Sequence, residues 1–438
     1  MNSPKSRQNP VLILGGGLAG LSAAYHLKTK TSLLIEKENQ VGGTARSYQV
    51  KGFTFDYTGH LLHLHFPTTK RLIKKILKNN FFWCKRDTWI FSENTYTKYP
   101  YQANTFGLPE ITVDDCVVGF FETNYQNPGR EKSDSNFKKW CFDTFGPGIS
   151  KHFMIPYNEK LYRTKTELLN IDWCGPFVPK PRLEDVIKGG LGTENRGFGY
   201  NQNFLYPKRG GIQSLSLGLA RHLKNIKLQT SVEKIDWGNK KARLSNSQVV
   251  PYSKLINTMP LPELLKVMSP LPRQIRMAAE KLKFVSIICI NMGVKRPKIS
   301  QKSWIYFPEK EFPFYRVGFP MNFTPHVVPR GQSSMYIEIS LKPGEKYAKK
   351  VVLNRTIKGL IKCGILKKSD KISAVQFLPI KYAYVIYNQN RKMALKQIMD
   401  FLKRQGILSI GRYGAWKYSF MEEAILDGKK AAAAIIKI

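Results

Sequence analysis

The chain is short of acid: 31 Asp and Glu stand against 70 Lys and Arg in 438 residues, a net charge of +39. It is also short of long apolar runs. The first, Val11 to Leu14, is too brief for the core of a secretory signal. The longest elsewhere, Phe284 to Met292, carries Asn291 and is about half of what a bilayer span needs. The six cysteines, at 84, 116, 141, 174, 289 and 363, form no CxxC, and no His/Cys cluster has ligand spacing. They read as reduced thiols of a cytoplasmic protein without a structural metal. Zinc-finger and RNP motifs are missing, so no nucleic-acid partner is expected. The surplus lysines are scattered, as on a solvated surface, and would also suit an anionic substrate or an acidic membrane face.

What is present is an ordinary globular composition, 42% hydrophobic, on a chain long enough for several sub-domains. Residues 10 to 36 read strand, glycine turn, helix, strand. Gly15-Gly16-Gly17-Leu18-Ala19-Gly20 is a G-x-G-x-x-G between the first strand and the helix. Gly15 permits the tight turn, Gly17 lets backbone approach a pyrophosphate, and Gly20 lets helix and strand pack closely. Backbone N–H groups at the helix start, including those of Leu18 and Ala19, would face the phosphates. Glu36 ends the next strand, 21 residues after Gly15, where an acid bonds a ribose. This geometry serves NAD or FAD. Glu36-Lys37 followed by Gly42-Gly43-Thr44-Ala45-Arg46 shifts the reading to FAD, because a second glycine pair after the acid is what glutathione-reductase-like flavoproteins show.

Four further segments carry a narrower resemblance. Asp56-Tyr57-Thr58-Gly59-His60-Leu61-Leu62-His63 resembles the histidine loop of UDP-galactopyranose mutases. Pro156 to Tyr162 resembles their Y-x-x-K-x-W segment, with Tyr162 in the place of Trp. Tyr206 to Gly211 resembles the stretch that leads back into the FAD domain. Gly411-Arg412-Tyr413-Gly414-Ala415-Trp416-Lys417-Tyr418 resembles their C-terminal G-R-x-G-x-[WY]-[KR]-Y. The chain is thereby identified as a UDP-galactopyranose mutase-like member of the FAD-dependent amine oxidase and protoporphyrinogen oxidase superfamily. The departures are Tyr162 for Trp, Leu62 where bacterial mutases tend to carry Phe, and a poorly matching stretch between Ile171 and Asn201.

The fold so implied is α/β: a Rossmann-type FAD-binding domain in three pieces (1–67, 196–265, 404–438). Into it are inserted a mainly helical region (68–195) and a β-sheet substrate domain (266–403). The resemblance adds His60, Val232, Gly411, Arg412, Phe420 and Met421 to the cofactor residues. It implies pyranose/furanose isomerisation of a nucleotide sugar through a flavin N5–sugar adduct. Reduced FAD would be required, NAD(P)H could serve as external reductant, and the pathway would be surface polysaccharide biosynthesis. No Ser-His-Asp or Cys-His arrangement is found, and covalent catalysis by the cofactor needs none. The protein must supply cations for a diphosphate leaving group. Arg182 and Arg316 are the candidates, joined by Arg412, and the resemblance places Tyr384, Tyr387 and Tyr418 nearby. His60 is expected against the flavin, with His63 bracing its loop, and Trp173 and Phe177 are weighed as base-stacking residues against a core role. The alternatives are a net oxidoreductase of the amine oxidase or protoporphyrinogen oxidase type, and a flavin-binding protein without turnover.

Overall fold

The computed structural model describes residues 9–27, 31–126, 136–175, 178–193 and 202–437. A five-stranded parallel sheet organises the nucleotide region, in the order Ile407–Ser409, Lys254–Asn257, Val11–Leu14, Ser32–Ile35, Ile226–Lys227. Short apolar runs form its strands because both faces are covered. Leu12, Leu14, Ile35 and Leu255 enter one core, and Val11, Ile13, Leu34 and Ile256 the other. The Leu18–His26 helix lies against the Met421–Ile436 helix so closely that a Cβ on Gly428 would sit 2.4 Å from the Ala19 carbonyl oxygen. Residues from both chain ends therefore meet in one layer.

The second sheet has seven strands, in the order Ile372–Ile386, Lys283–Val294, Ser333–Leu341, Arg316–Gly318, Trp304–Tyr306, Thr88–Ser92, Thr95–Lys98. Period-two alternation sorts its side chains. Met335, Ile337 and Ile339 join Ile288, Ile290 and Met292 in an aromatic-rich core. Tyr336 and Glu338, on the other side of the Ser333–Leu341 strand, are buried outside that core. The strand register puts Arg316 opposite Glu338 and Gly318 opposite Tyr336.

The structure departs from the expected organisation in three places. The region read as mainly helical, 68–195, contributes the hairpin of Thr88–Ser92 and Thr95–Lys98 to the second sheet. The connection read as irregular from 175 to 210 contains the Leu183–Gly190 helix and the Asn203–Tyr206 strand. The Ile372–Ile386 strand is the longest of all, and its polar interruptions hid it from a periodicity reading. The boundary placed at 195/196 and the residue Phe177 lie outside the described residues. Among the described residues no helix is long and apolar enough to cross a membrane, and no group of His, Cys, Asp and Glu could hold a metal ion.

Candidate functional site

Between the two sheets lies a cavity of about 810 Å³. One end is the dinucleotide cradle. Gly17, at the head of the Leu18–His26 helix, has no side-chain cap over the first turn, so those N–H groups remain for a ligand. A Cβ on Gly20 would stand 2.0 Å from the Gly15 carbonyl oxygen, and one on Gly43 would stand 3.2 Å from the Gly17 Cα. The two glycine segments therefore touch backbone to backbone, which leaves their open side to a phosphate-sized group. Glu36 is buried; Oε2 accepts from the Gly16 N–H at 2.7 Å and Oε1 from the Glu38 N–H at 2.9 Å. A carboxylate offers about four acceptor positions, so capacity remains for a ribose hydroxyl on the cavity side.

The histidine loop crosses the middle of the cavity. Its conformation depends on the second sheet, since a Cβ on Gly59 would collide with the Tyr336 hydroxyl at 2.3 Å. The Thr58 hydroxyl donates to Glu338 Oε1 at 2.6 Å, and the His60 N–H donates to the Thr58 carbonyl at 2.9 Å. Glu338 in turn accepts from Arg316 Nε at 2.8 Å and Nη2 at 2.7 Å. Burial opposes the charge on Glu338, but Arg316 and the Thr58 hydroxyl hold its carboxyl below the usual range. Burial, then the Arg412 guanidinium, pushes His60 down to about 4, with Glu338 pulling weakly the other way. His60 is therefore a neutral imidazole at physiological pH. Its Nδ1 is turned away from the cavity, buried and without a hydrogen-bond partner, while the rest of the ring is only partly buried and lines the cavity. A neutral ring on a cavity wall can meet a ligand by packing or by a hydrogen bond from its accessible edge.

The far end of the cavity is cationic and aromatic. Arg412 donates from Nη1 to the Ser419 carbonyl at 2.8 Å and from Nη2 to the Ala383 carbonyl at 3.2 Å. Its guanidinium lies 5.4 Å from the Tyr384 ring centroid and 5.1 Å from that of Tyr418. Arg412 makes no ion pair with a carboxylate among the described residues. A recess of about 130 Å³ adjoins the cavity and shares Tyr99, Tyr306, Arg316, Tyr384 and Tyr418 with it. Trp173 stands on the recess wall, stacked on Phe137 at 5.4 Å, so it is both core and lining.

The cavity brings together nearly every residue singled out from the sequence. Gly15, Gly17, Leu18, Ala19, Glu36, Lys37, Gly43, Thr44, Ala45, Arg46, His60 and Val232 line it, as do Arg316, Tyr384, Gly411, Arg412, Tyr418, Phe420 and Met421. Gly20 lies beneath the cradle as a packing glycine. Two candidates are corrected. Arg182 is 74% exposed in its side chain, and its guanidinium is engaged by Asp185 at the start of the Leu183–Gly190 helix. Its neighbour three residues on holds it on the surface. Tyr387 is buried behind the lining: its hydroxyl accepts from the Tyr418 N–H at 2.8 Å and Arg391 covers its ring at 3.8 Å. It braces Tyr418 and does not reach the cavity. His63 lines the cavity, while the His65 backbone and ring bond the buried Glu422.

Sequence reasoning missed Glu338, Tyr336, Tyr306 and Arg86. For the first two a signal existed: Ser334-Met-Tyr-Ile-Glu-Ile-Ser alternates strictly, with a polar or aromatic residue at every second position. A strand whose second face is polar yet lies inside the protein marks a site. Lys160 of the Y-x-x-K segment donates to the carbonyls of Phe307 at 2.8 Å and Glu309 at 2.7 Å, a structural tie.

The comparisons with known proteins agree with this geometry. A crystal structure of reduced UDP-galactopyranose mutase superposes with a TM-score of 0.93 at 26% identity, covering 98% of this chain and 94% of that one. An L-amino-acid oxidase of Sistrurus catenatus edwardsii is 25% identical over 35% of this chain and 32% of its own length. The coproporphyrinogen III oxidase of Bacillus subtilis is 21% identical over 54% of each. The chain thus spans about a third to a half of the length of these curated relatives. Residues 18–436 match the family described as flavin containing amine oxidoreductase. The chain belongs to that family, as an FAD-dependent enzyme with the architecture of its UDP-galactopyranose mutase-like members.

Proposed function

We propose that the protein is a nucleotide-sugar mutase that interconverts pyranose and furanose forms with reduced FAD bound, NAD(P)H or another donor keeping it reduced. The observation that carries this reading is Arg412, a partly buried cation without an ion-paired carboxylate among the described residues, at the junction of the cavity and the tyrosine-lined recess. An unpaired buried charge is costly, so the site favours an anionic occupant such as a diphosphate. Reduced flavin, when bound, would supply the nucleophile for exchange at an anomeric carbon. The chain's own residues do the rest. Gly17 to Gly20 and Gly42 to Arg46 hold the dinucleotide, and Glu36 its ribose. His60 would present the accessible edge of a neutral imidazole to the isoalloxazine. Arg412, with Nη1 of Arg316, meets charge as it develops on the leaving group, and Tyr384 and Tyr418 wall the recess against water. Residues 1–67, 196–265 and 404–438 would form the FAD-binding domain around the inserts.

The test is anaerobic incubation of the dithionite-reduced protein with a panel of nucleotide sugars, resolving pyranose from furanose products. Conversion without net electron consumption supports the mutase. A second reading, a net oxidase, is favoured by the oxidase relatives. Oxygen uptake with an amino acid or a porphyrinogen, and no sugar isomerised, would establish that reading instead.

A further inference from the structure

Residues 57 to 86 and 202 to 232 contain no Asp or Glu, and the fold brings these two segments together. The Pro67–Leu77 helix buries Thr69, Ile73 and Leu77 and turns Lys70, Arg71, Lys74 and Lys75 outward. It packs on the Gln213–Ala220 helix, where a Cβ on Gly218 would sit 2.4 Å from Ile76 Cγ2. The Phe82–Lys85 strand pairs with Asn203–Tyr206 beside it. Asn80 ties the parts together: its Nδ2 donates to the Arg209 carbonyl at 3.0 Å, and its Oδ1 accepts from the Arg209 N–H at 2.9 Å. On the helix side of this basic unit the rings of Phe66 and Trp83 stand in water, at 50% and 48% exposure, while Phe82, next to Trp83 in the strand, is exposed on the opposite side. Lys70 Nζ lies 5.1 Å over the Trp83 ring and Lys208 Nζ 5.1 Å over Phe82. Glu422, which meets the start of the helix, is only 1% exposed in its side chain and screens little of this charge.

We propose that this face docks on the surface of an anionic phospholipid bilayer. Aromatic rings interleaved with lysines match the headgroup region, where rings partition at the interface and ammonium groups meet phosphates. A single-stranded nucleic acid also likes basic aromatic surfaces, but it needs open ring faces for stacking. Here Lys70 covers one face of the Trp83 ring, leaving its edge to insert among headgroups. The inference does not depend on which reaction the cavity performs.

The experiment is flotation of the flavin-loaded protein with vesicles of phosphatidylcholine alone, or of phosphatidylcholine mixed with phosphatidylglycerol. Binding is expected only to the mixed vesicles and is expected to fall steeply with salt. Lys74→Glu/Lys75→Glu should weaken it at least about tenfold, and Phe66→Ser/Trp83→Ser should weaken it at unchanged charge. Lys367→Glu/Lys368→Glu, an equal charge change on another exposed surface, should leave it within about threefold. Bound flavin and far-UV circular dichroism confirm that each variant is folded. Equal losses from the two charge variants would reduce the effect to net charge and overturn the proposal. So would binding to neutral vesicles alone, or binding to polyuridylate with none to either vesicle.

Discussion

Glu338→Gln is the sharpest test of how the histidine loop is held. The substitution keeps the size of the side chain and removes its charge. Arg316, largely buried at 18% side-chain exposure, would then lose the carboxylate that takes both its Nε and Nη2 hydrogens at 2.8 and 2.7 Å. Breaking one partner of a buried pair costs roughly 3–5 kcal/mol, because the surviving charge is left without compensation. Against a total stability of about 5–15 kcal/mol the variant should unfold at clearly lower temperature and denaturant, followed by circular dichroism and by release of bound flavin. The double variant Glu338→Gln/Arg316→Met should recover part of that loss, since the uncompensated charge is gone. Because Glu338 also accepts from Thr58, both variants should loosen His60 and lower turnover while FAD remains bound. A single variant costing less than about 1 kcal/mol, as for an exposed pair, would refute the reasoning. A double variant as unstable as the sum of its parts would refute it too.

His60→Ala should retain the flavin absorbance and lose turnover by about 100-fold or more, the scale for a hydrogen-bonding group at a reacting centre; unchanged steady-state rates would remove His60 from the site. Arg182→Ala should leave activity within about twofold and cost about 1 kcal/mol or less, because only an exposed pair is lost; a large fall in kcat would place it at the substrate after all. Asp56 accepts from the Ser47 and Tyr206 hydroxyls, each at 2.6 Å, and burial pushes its carboxyl up to about 6. The folded state thus binds this proton more tightly than the unfolded one. The resulting stabilisation is fully present below about pH 4 and is lost as pH rises through 6. Relative to wild type, Asp56→Asn should therefore gain about 2 kcal/mol between pH 4 and pH 7, read from denaturant midpoints; a pH-independent difference would show that Asp56 does not titrate in this window.

The sequence by itself determined the dinucleotide half of the protein. Strand, G-x-G-x-x-G, helix and Glu36 follow one another along the chain, so local backbone geometry writes the motif into adjacent positions. The C-terminal Gly411-Arg412 segment was legible for the same reason. The opposite wall was legible only in part, through resemblance: Arg316, Tyr384 and Arg412 could be named, but not Glu338, the partner that positions Arg316. Thr58, Arg316, Glu338, Tyr384 and Arg412 come from separate strands and loops, and only the register of the second sheet makes them neighbours. Arg182 and Arg316 carry the same side chain, and nothing along the chain tells them apart. Tertiary structure decided between them, because one meets Asp185 at a solvent-exposed helix end and the other meets the fully buried Glu338 at the cavity wall, where an ion pair can order a loop.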